Sequence, residues 1–320
     1  MNLSTRFLVS TGVVVMAAGA MLLAQPGDAA KVMAEMRKAL GGEQKLAAVK
    51  TLSAVGKSQR ATGTTSMGGD YELMLELPDK FFTRQVLAQT PMGTIAMKLG
   101  FNGDALIQET EQPQMAGGGM QVRFAGSSPN ASPEQLATDR ARMAKTAKQD
   151  FAKMALGMFG ASFGAYPLEY TYSGVAEAPD GKADIIDVKG PDDFAGKLFV
   201  DQKTHLPLMF TWMAKEPVQM STSTRSGGAG QAGVVQMNQS MSAAEREKVI
   251  AEAQARMAEA EKNRKMVEFR MFYSNYQTVD GIQLPHTFQQ AVGSTPSNEI
   301  TIEKYKVNPK LDGKRFESVK

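Results

Sequence analysis

The chain contains no cysteine. That excludes a disulfide framework, a thiolate metal site, a cysteine nucleophile and a lipid-modified N-terminal cysteine. Core burial must hold the fold, and 320 residues are ample for one or two domains. Histidine is scarce too. His205 and His286 each sit beside a Leu-Pro pair. No spacing gives either a third metal ligand or a nucleophile to activate, so structural roles are favoured for both. The glycine runs Gly117-Gly118-Gly119 and Gly227-Gly228 lack the following Lys-Ser/Thr of a phosphate loop. The paired carboxylates Asp192-Asp193 follow Pro191 and read as a solvated turn. The formal charge is only +3, without the basic surplus that nucleic-acid binding needs. The residues therefore point to no enzyme, metal site, cofactor or nucleic-acid partner.

The start of the chain carries a different signal. Met1 to Thr5 is short and polar, Arg6 is the only charge, and Phe7 to Ala24 is almost wholly apolar. This is the pattern of a secretory signal. Residues 1–24 are read as a signal peptide, cut after Ala24 or at the alternatives Ala20 and Ala29, within residues 20–30. The competing reading is an uncleaved anchor, since the run lies at the lower edge of the ~17–25 residues that span a bilayer. No second run of comparable length follows. The expectation is export to the periplasm, release without an anchor, and one domain over residues 25–320 that touches membranes only transiently.

Beyond residue 25, helical and strand periods alternate. Asp28 to Leu40 reads as a helix with Asp28 as N-cap, ended by Gly41-Gly42, with a short second helix over Glu43 to Val49. From Thr51 the period becomes two. Tyr71, Leu73, Leu75 and Leu77 alternate with Glu72, Met74 and Glu76. Ile95, Met97, Leu99 and Phe101 do the same, and Asn102-Gly103 marks a hairpin turn. Further strands are expected over residues 185–188, 197–200, 208–212, 266–273, 283–290 and 300–307. The strongest hairpin signal is Asp280-Gly281, because such a tight turn needs positive φ. Many short strands with turn signals between them predict an antiparallel sheet.

Two insertions interrupt it, at about residues 112–160 and 217–265. In the first, Ser132-Pro133-Glu134-Gln135 is a helix start with a capping box. Leu136, Met143, Ala147, Phe151, Met154 and Met158 form an apolar stripe behind it. In the second, Ser242 to Lys265 is helix-prone but polar, which predicts a peripheral arm.

The inward face of the sheet is expected to carry Leu73, Leu75, Leu77, Met97, Leu99, Phe210, Trp212, Phe269 and Met271. Two readings fit this pattern. One is a filled core between sheet and helices. The other is an open, curved sheet whose concave face stays partly unfilled and takes an acyl chain. Periodicity does not separate them. The 22 methionines suit an adaptable apolar surface but fit compositional drift as well.

Four segments carry a family resemblance: Arg37 to Leu46, Val200 to Pro207, Val279 to Pro285 and Ile302 to Pro309. In these and in layout the chain resembles the periplasmic lipoprotein-carrier superfamily of LolA/LolB-like fold and its outer-membrane lipoprotein-sorting relatives. The resemblance implies a mainly β fold with helical cover: a curved antiparallel sheet, or open half-barrel, around an apolar cavity. It implies a non-enzymatic carrier of lipids or lipoprotein acyl chains, with the nine inward residues as cavity wall. The alternative is an envelope stress sensor or scaffold that docks a protein partner through its second helical insertion. A hydrolase is a distant third. The two insertions exceed what a minimal carrier needs.

Overall fold

A computed structural model describes residues 26–62, 65–90, 93–111, 132–164, 166–216, 259 and 262–317. Two short helices, α1 (Pro26–Ala39) and α2 (Glu43–Ala48), precede β1 (Thr51–Thr62), β2 (Thr65–Glu76), β3 (Lys80–Thr90), β4 (Gly93–Asn102) and β5 (Ala105–Glu111). The long helix α3 (Pro133–Phe159) leads to β6 (Glu169–Ala178), β7 (Gly181–Lys189), β8 (Ala195–Asp201) and β9 (Pro207–Lys215). The chain continues through β10 (Met266–Val279), β11 (Ile282–Val292) and β12 (Thr295–Val307) to a final 3-10 turn at Gly313–Phe316. Two compact units emerge: Met1–Trp212 with Phe269–Lys320, and Met213–Glu268.

The strands form one open antiparallel sheet in the order β5-β4-β3-β2-β1-β12-β11-β10-β9-β8-β7-β6. Every neighbour is also a neighbour in sequence, except β1 and β12. Their pairing joins the two halves, with Leu52 opposite both Leu75 and Val307. The edges, β5 and β6, are the two strands that α3 links.

The position of α3 shows that the sheet curves. The Phe151 ring lies 5.6 Å from that of Phe101 on β4, while Lys153 Nζ lies 4.4 Å from the Trp212 ring on β9. Those strands are seven places apart in the sheet, which in a flat sheet would be roughly 33 Å at ~4.8 Å per strand. Helix residues two apart reach both, so the sheet wraps around α3. The curved sheet with helical cover is thus the fold, and α3 lies along its inner side.

Local chemistry sets the element ends. Asp280 and Gly281 have φ of 50° and 82° and close the β10–β11 hairpin between Val279 and Ile282, as the Asp-Gly signal predicts. Ser132 accepts from Gln135 N and the Gln135 side chain accepts from Ser132 N, completing the capping box of α3. Gly160 ends α3 at φ 56°, and a Cβ there would lie 2.8 Å from Met36 Cε of α1. Glycine suits both that conformation and the close helix contact. Gly157 plays a similar part against the sheet, since a Cβ there would fall 2.5 Å from the Tyr273 ring.

Leu52, Leu73, Leu75, Phe81, Phe101, Phe210 and Phe288 from the inner face pack into one core with Phe151, Met154, Leu156 and Met158 of α3. Burying each such side chain contributes about 1.5–3 kcal/mol. The outer face has a smaller core of Phe82, Ile107 and Phe316, brought there by the C-terminal 3-10 turn. Arg315 pairs with Glu72 through two hydrogen bonds of 2.9 and 2.7 Å, and both Arg315 and Lys98 lie over the Phe82 ring.

Some expectations change. α1 begins at Pro26, so Asp28 lies in its first turn and not at its cap. The apolar stripe of α3 is buried only from Ala147 on, while Leu136 stays 40% exposed, because the first half of the helix extends past the packed core. The signal segment, residues 112–131 and most of the expected arm at 242–265 lie outside the described residues. In the smaller unit, Glu216 N donates to Lys265 O (2.8 Å) and the Arg264 guanidinium donates to the carbonyls of Lys215 and Glu216.

Candidate functional site

The nine inward residues divide by burial. Leu73, Leu75, Phe210 and Met271 are buried in the core that α3 completes. Leu77, Leu99 and Trp212 are half-buried and packed against it. Met97 is half-buried on the same face, because its cross-strand partner Gln85 also pairs with buried Tyr71. Phe269 is half-buried and stacks on Trp212 at 5.5 Å. Trp212 in turn stacks on Phe210 and takes the buried Lys153 ammonium over its ring, while Asp150 holds that ammonium at 2.8 Å.

Phenol groups fasten α3 to the sheet. Tyr273 donates to Lys153 O (2.7 Å), Tyr276 lies 3.1 Å from Gly157 O, and Tyr71 lies 3.9 Å from Met154 Sδ. Tyr305 donates to Pro285 O at 2.7 Å. Burial raises the pKa of all four phenols well above the ordinary value, so they remain protonated donors. His286 packs edge-on to Tyr305, and its Nδ1 lies 2.8 Å from Ile302 O. That contact requires the proton on Nδ1, and the buried Nε2 has no hydrogen-bond partner among the described residues.

Beside this filled interior a cleft of about 380 Å³ opens to solvent. Met33 and Arg37 of α1 form one wall, and Leu46 and Ala47 of α2 another. The end of α3 supplies Phe159 and Gly160. The connection to β6 adds Ala161, Ser162 and Phe163, and Tyr170 of β6 closes the cleft. The walls are mainly apolar, and Met33, Leu46 and Phe159 are buried. Arg37 stands among them with two contacts: a two-pronged pair to Glu43 at 2.6 and 2.7 Å, and a bond of 3.2 Å to Phe159 O at the end of α3. The Arg37 bonds hold the Glu43 carboxyl below its usual pKa. The Tyr170 hydroxyl is buried without a bond of regular geometry, although Ser162 is beside it. Burial raises its pKa.

Neither histidine belongs to this cleft. His205 Nε2 lies 3.2 Å from Glu35 at the β8–β9 turn, and His286 is under the sheet's inner core. Among the described residues no three histidines or carboxylates are grouped to hold a metal. Asp192 and Asp193 lie in an exposed turn with Lys145 3.7 Å from Asp192. Sequence periodicity missed Arg37, Ser162 and Tyr170 as a group, and their separation along the chain offered no local signal. The Arg37–Glu43 pair across Gly41-Gly42 was the one short-range hint.

No family model and no curated protein matches the chain. Solved structures do align with it. A LolA superfamily protein from Nitrosomonas europaea is 11% identical, with 91% of this chain and 98% of that one covered and a TM-score of 0.44. A putative outer membrane lipoprotein-sorting protein domain from Vibrio parahaemolyticus is 10% identical, covering 91% and 97%, with a TM-score of 0.45. A DUF1329 family protein from Desulfovibrio piger is 9% identical, covering 90% and 96%, also at 0.45. At such scores the likeness carries no information about ligand or role. Among the described residues no helix is long and apolar enough to cross a membrane.

Proposed function

We propose that the protein is a periplasmic binding or carrier protein for lipids or lipoprotein acyl chains, with no chemistry of its own. The observation that carries this reading is the half-open, mainly apolar cleft between α1, α2, the end of α3 and β6. Its volume of about 380 Å³ lies within the roughly 300–1,000 Å³ of small-molecule sites. The signal-like start supports an envelope location. In this reading the cleft is the entrance. Leu73, Leu75, Leu77, Met97, Leu99, Phe210, Trp212, Phe269 and Met271 are the wall that a longer chain meets if α3 yields. Native mass spectrometry of the protein purified from its own envelope tests the reading. A co-purifying lipid supports it, and empty protein that also fails to take up a fluorescent fatty acid counts against it.

One observation favours a second reading. Met213–Glu268 forms a compact unit of its own, with Met213 and Met266 more than half exposed. A scaffold that docks an envelope protein through this insertion would use such a unit. Deleting residues 217–265 would then abolish partner capture and leave lipid uptake unchanged.

A further inference from the structure

Arg37, Tyr170 and Ser162 each bring N–H or O–H donors to the cleft. Arg37 carries five N–H groups. Nε and Nη2 each give one to Glu43, and Nη1 gives one to Phe159 O, so two remain. The Tyr170 hydroxyl is buried beside Ser162 and makes no bond of regular geometry among the described residues, so it is open to a better-placed acceptor. Ser162 adds a rotatable hydroxyl to the same lining. A ligand head that satisfies these groups must be rich in acceptors.

Glu43 is the competitor for that head. Its side chain is 72% exposed, whereas that of Arg37 is 21% exposed. The carboxylate can therefore turn to water while the guanidinium stays at the cleft wall. Fork-shaped guanidinium donors match paired anionic oxygens, so an incoming anion can take over the geometry that Glu43 now fills. The size of the cleft sets a further limit. Its volume of about 380 Å³ is near the lower bound for ligand sites, which favours one chain over several.

We infer that the cleft takes a single-chain amphiphile with an anionic oxygen head, which binds Arg37 and Tyr170 while its chain lies against Met33, Leu46, Phe159 and Phe163. The inference rests on the acyl-binding reading and narrows it from multi-chain lipids to single-chain anions. Two sources share this chemistry: the carboxylate of a free fatty acid and the phosphate of a lysophospholipid.

Displacement of a fluorescent fatty acid from the lipid-stripped full chain tests it. The competitors are palmitate, lysophosphatidylglycerol, methyl palmitate and a triacyl lipopeptide. Palmitate or lysophosphatidylglycerol should compete at least about ten-fold better than methyl palmitate, which has lost the charge-assisted bonds. Whichever of the two competes better identifies the source. Tyr170→Phe should weaken binding about three- to ten-fold, as expected for one lost hydrogen bond. Glu43→Gln should tighten it about three-fold, because it removes the rival anion from an exposed site where folding is not at stake. A structural role for Glu43 would give no tightening. Equal competition by acid and methyl ester, or Glu43→Gln binding no tighter than the parent, overturns the inference. If native mass spectrometry shows the lipopeptide bound to the stripped chain while both single-chain anions fail, the carrier reading stands and this inference falls. If no probe binds, both fall.

Discussion

The Lys153 ammonium lies 4.4 Å from the centre of the Trp212 indole, with the Asp150 carboxylate 2.8 Å from the same nitrogen. A long helix and the β9 strand are thus joined by a buried cation on an aromatic face. The contact lies where Phe210, Trp212 and Phe269 stack in sequence across the sheet.

Removing the charge should loosen that joint. Lys153→Met keeps the aliphatic stem but loses the cation–π contact, worth ~0.5–2 kcal/mol. Urea unfolding followed by Trp212 emission should show a loss of about 1 kcal/mol and a changed native emission maximum. An unchanged midpoint and spectrum would mean that Lys153 does not rest on the indole in solution.

Gly157→Ala tests whether α3 is seated on the sheet. The added methyl would fall 2.5 Å from the Tyr273 ring, whose hydroxyl donates to the helix four residues earlier at Lys153 O. Overpacking of this kind costs about 1–3 kcal/mol. Thermal unfolding should show a clear drop in Tm, and no drop would place α3 farther from β10.

Leu75→Asp separates a filled interior from an open one. Leu75 is fully buried and faces Leu52 and Phe81 across the strands. A carboxylate there has no partner and no water, so the variant should fail to fold. A folded Leu75→Asp protein that merely binds lipid less well would show that water reaches this face.

Stability should fall at high pH. Tyr71, Tyr273, Tyr276 and Tyr305 have raised pKa values because burial disfavours the phenolate. Unfolded tyrosines ionise near pH ~10. Above that the unfolded chain binds fewer protons than the folded one, so unfolding is favoured as pH rises. The stability these groups confer is intact below about pH 10 and is lost above it, by up to ~1.4 kcal/mol per pH unit for each tyrosine. Urea midpoints at pH 8 and pH 11 should differ strongly, and phenolate absorbance should appear together with unfolding. Phenolate appearing in the still-folded protein would contradict the burial.

The sheet was legible in the sequence because its signals are local. Asp280-Gly281 fixes a hairpin by its own backbone preferences. Ser132, Pro133 and Gln135 fix a helix start within four residues. Alternation placed Leu73, Leu75 and Phe210 inward, and they are buried. What fills the inner face was not legible, because a period of two is the same whether the face meets a helix or a void. The pairing of β1 with β12 joins distant parts of the chain through backbone bonds that leave no residue signature. The cleft has the same difficulty. Arg37 meets Phe159 and lies in one lining with Tyr170 only after α3 has crossed from one sheet edge to the other. Leu136 shows the opposite error, an apolar position in the first turn of a helical stripe that stays exposed among the described residues.

Photo-crosslinking with a single-chain fatty acid that carries a diazirine near its middle tests the central claim most directly. The account predicts that peptide mapping places the label on residues 33–47 and 159–170, and that excess palmitate removes it. Label spread over the exposed surface, or confined to segments away from this cleft, would contradict the account.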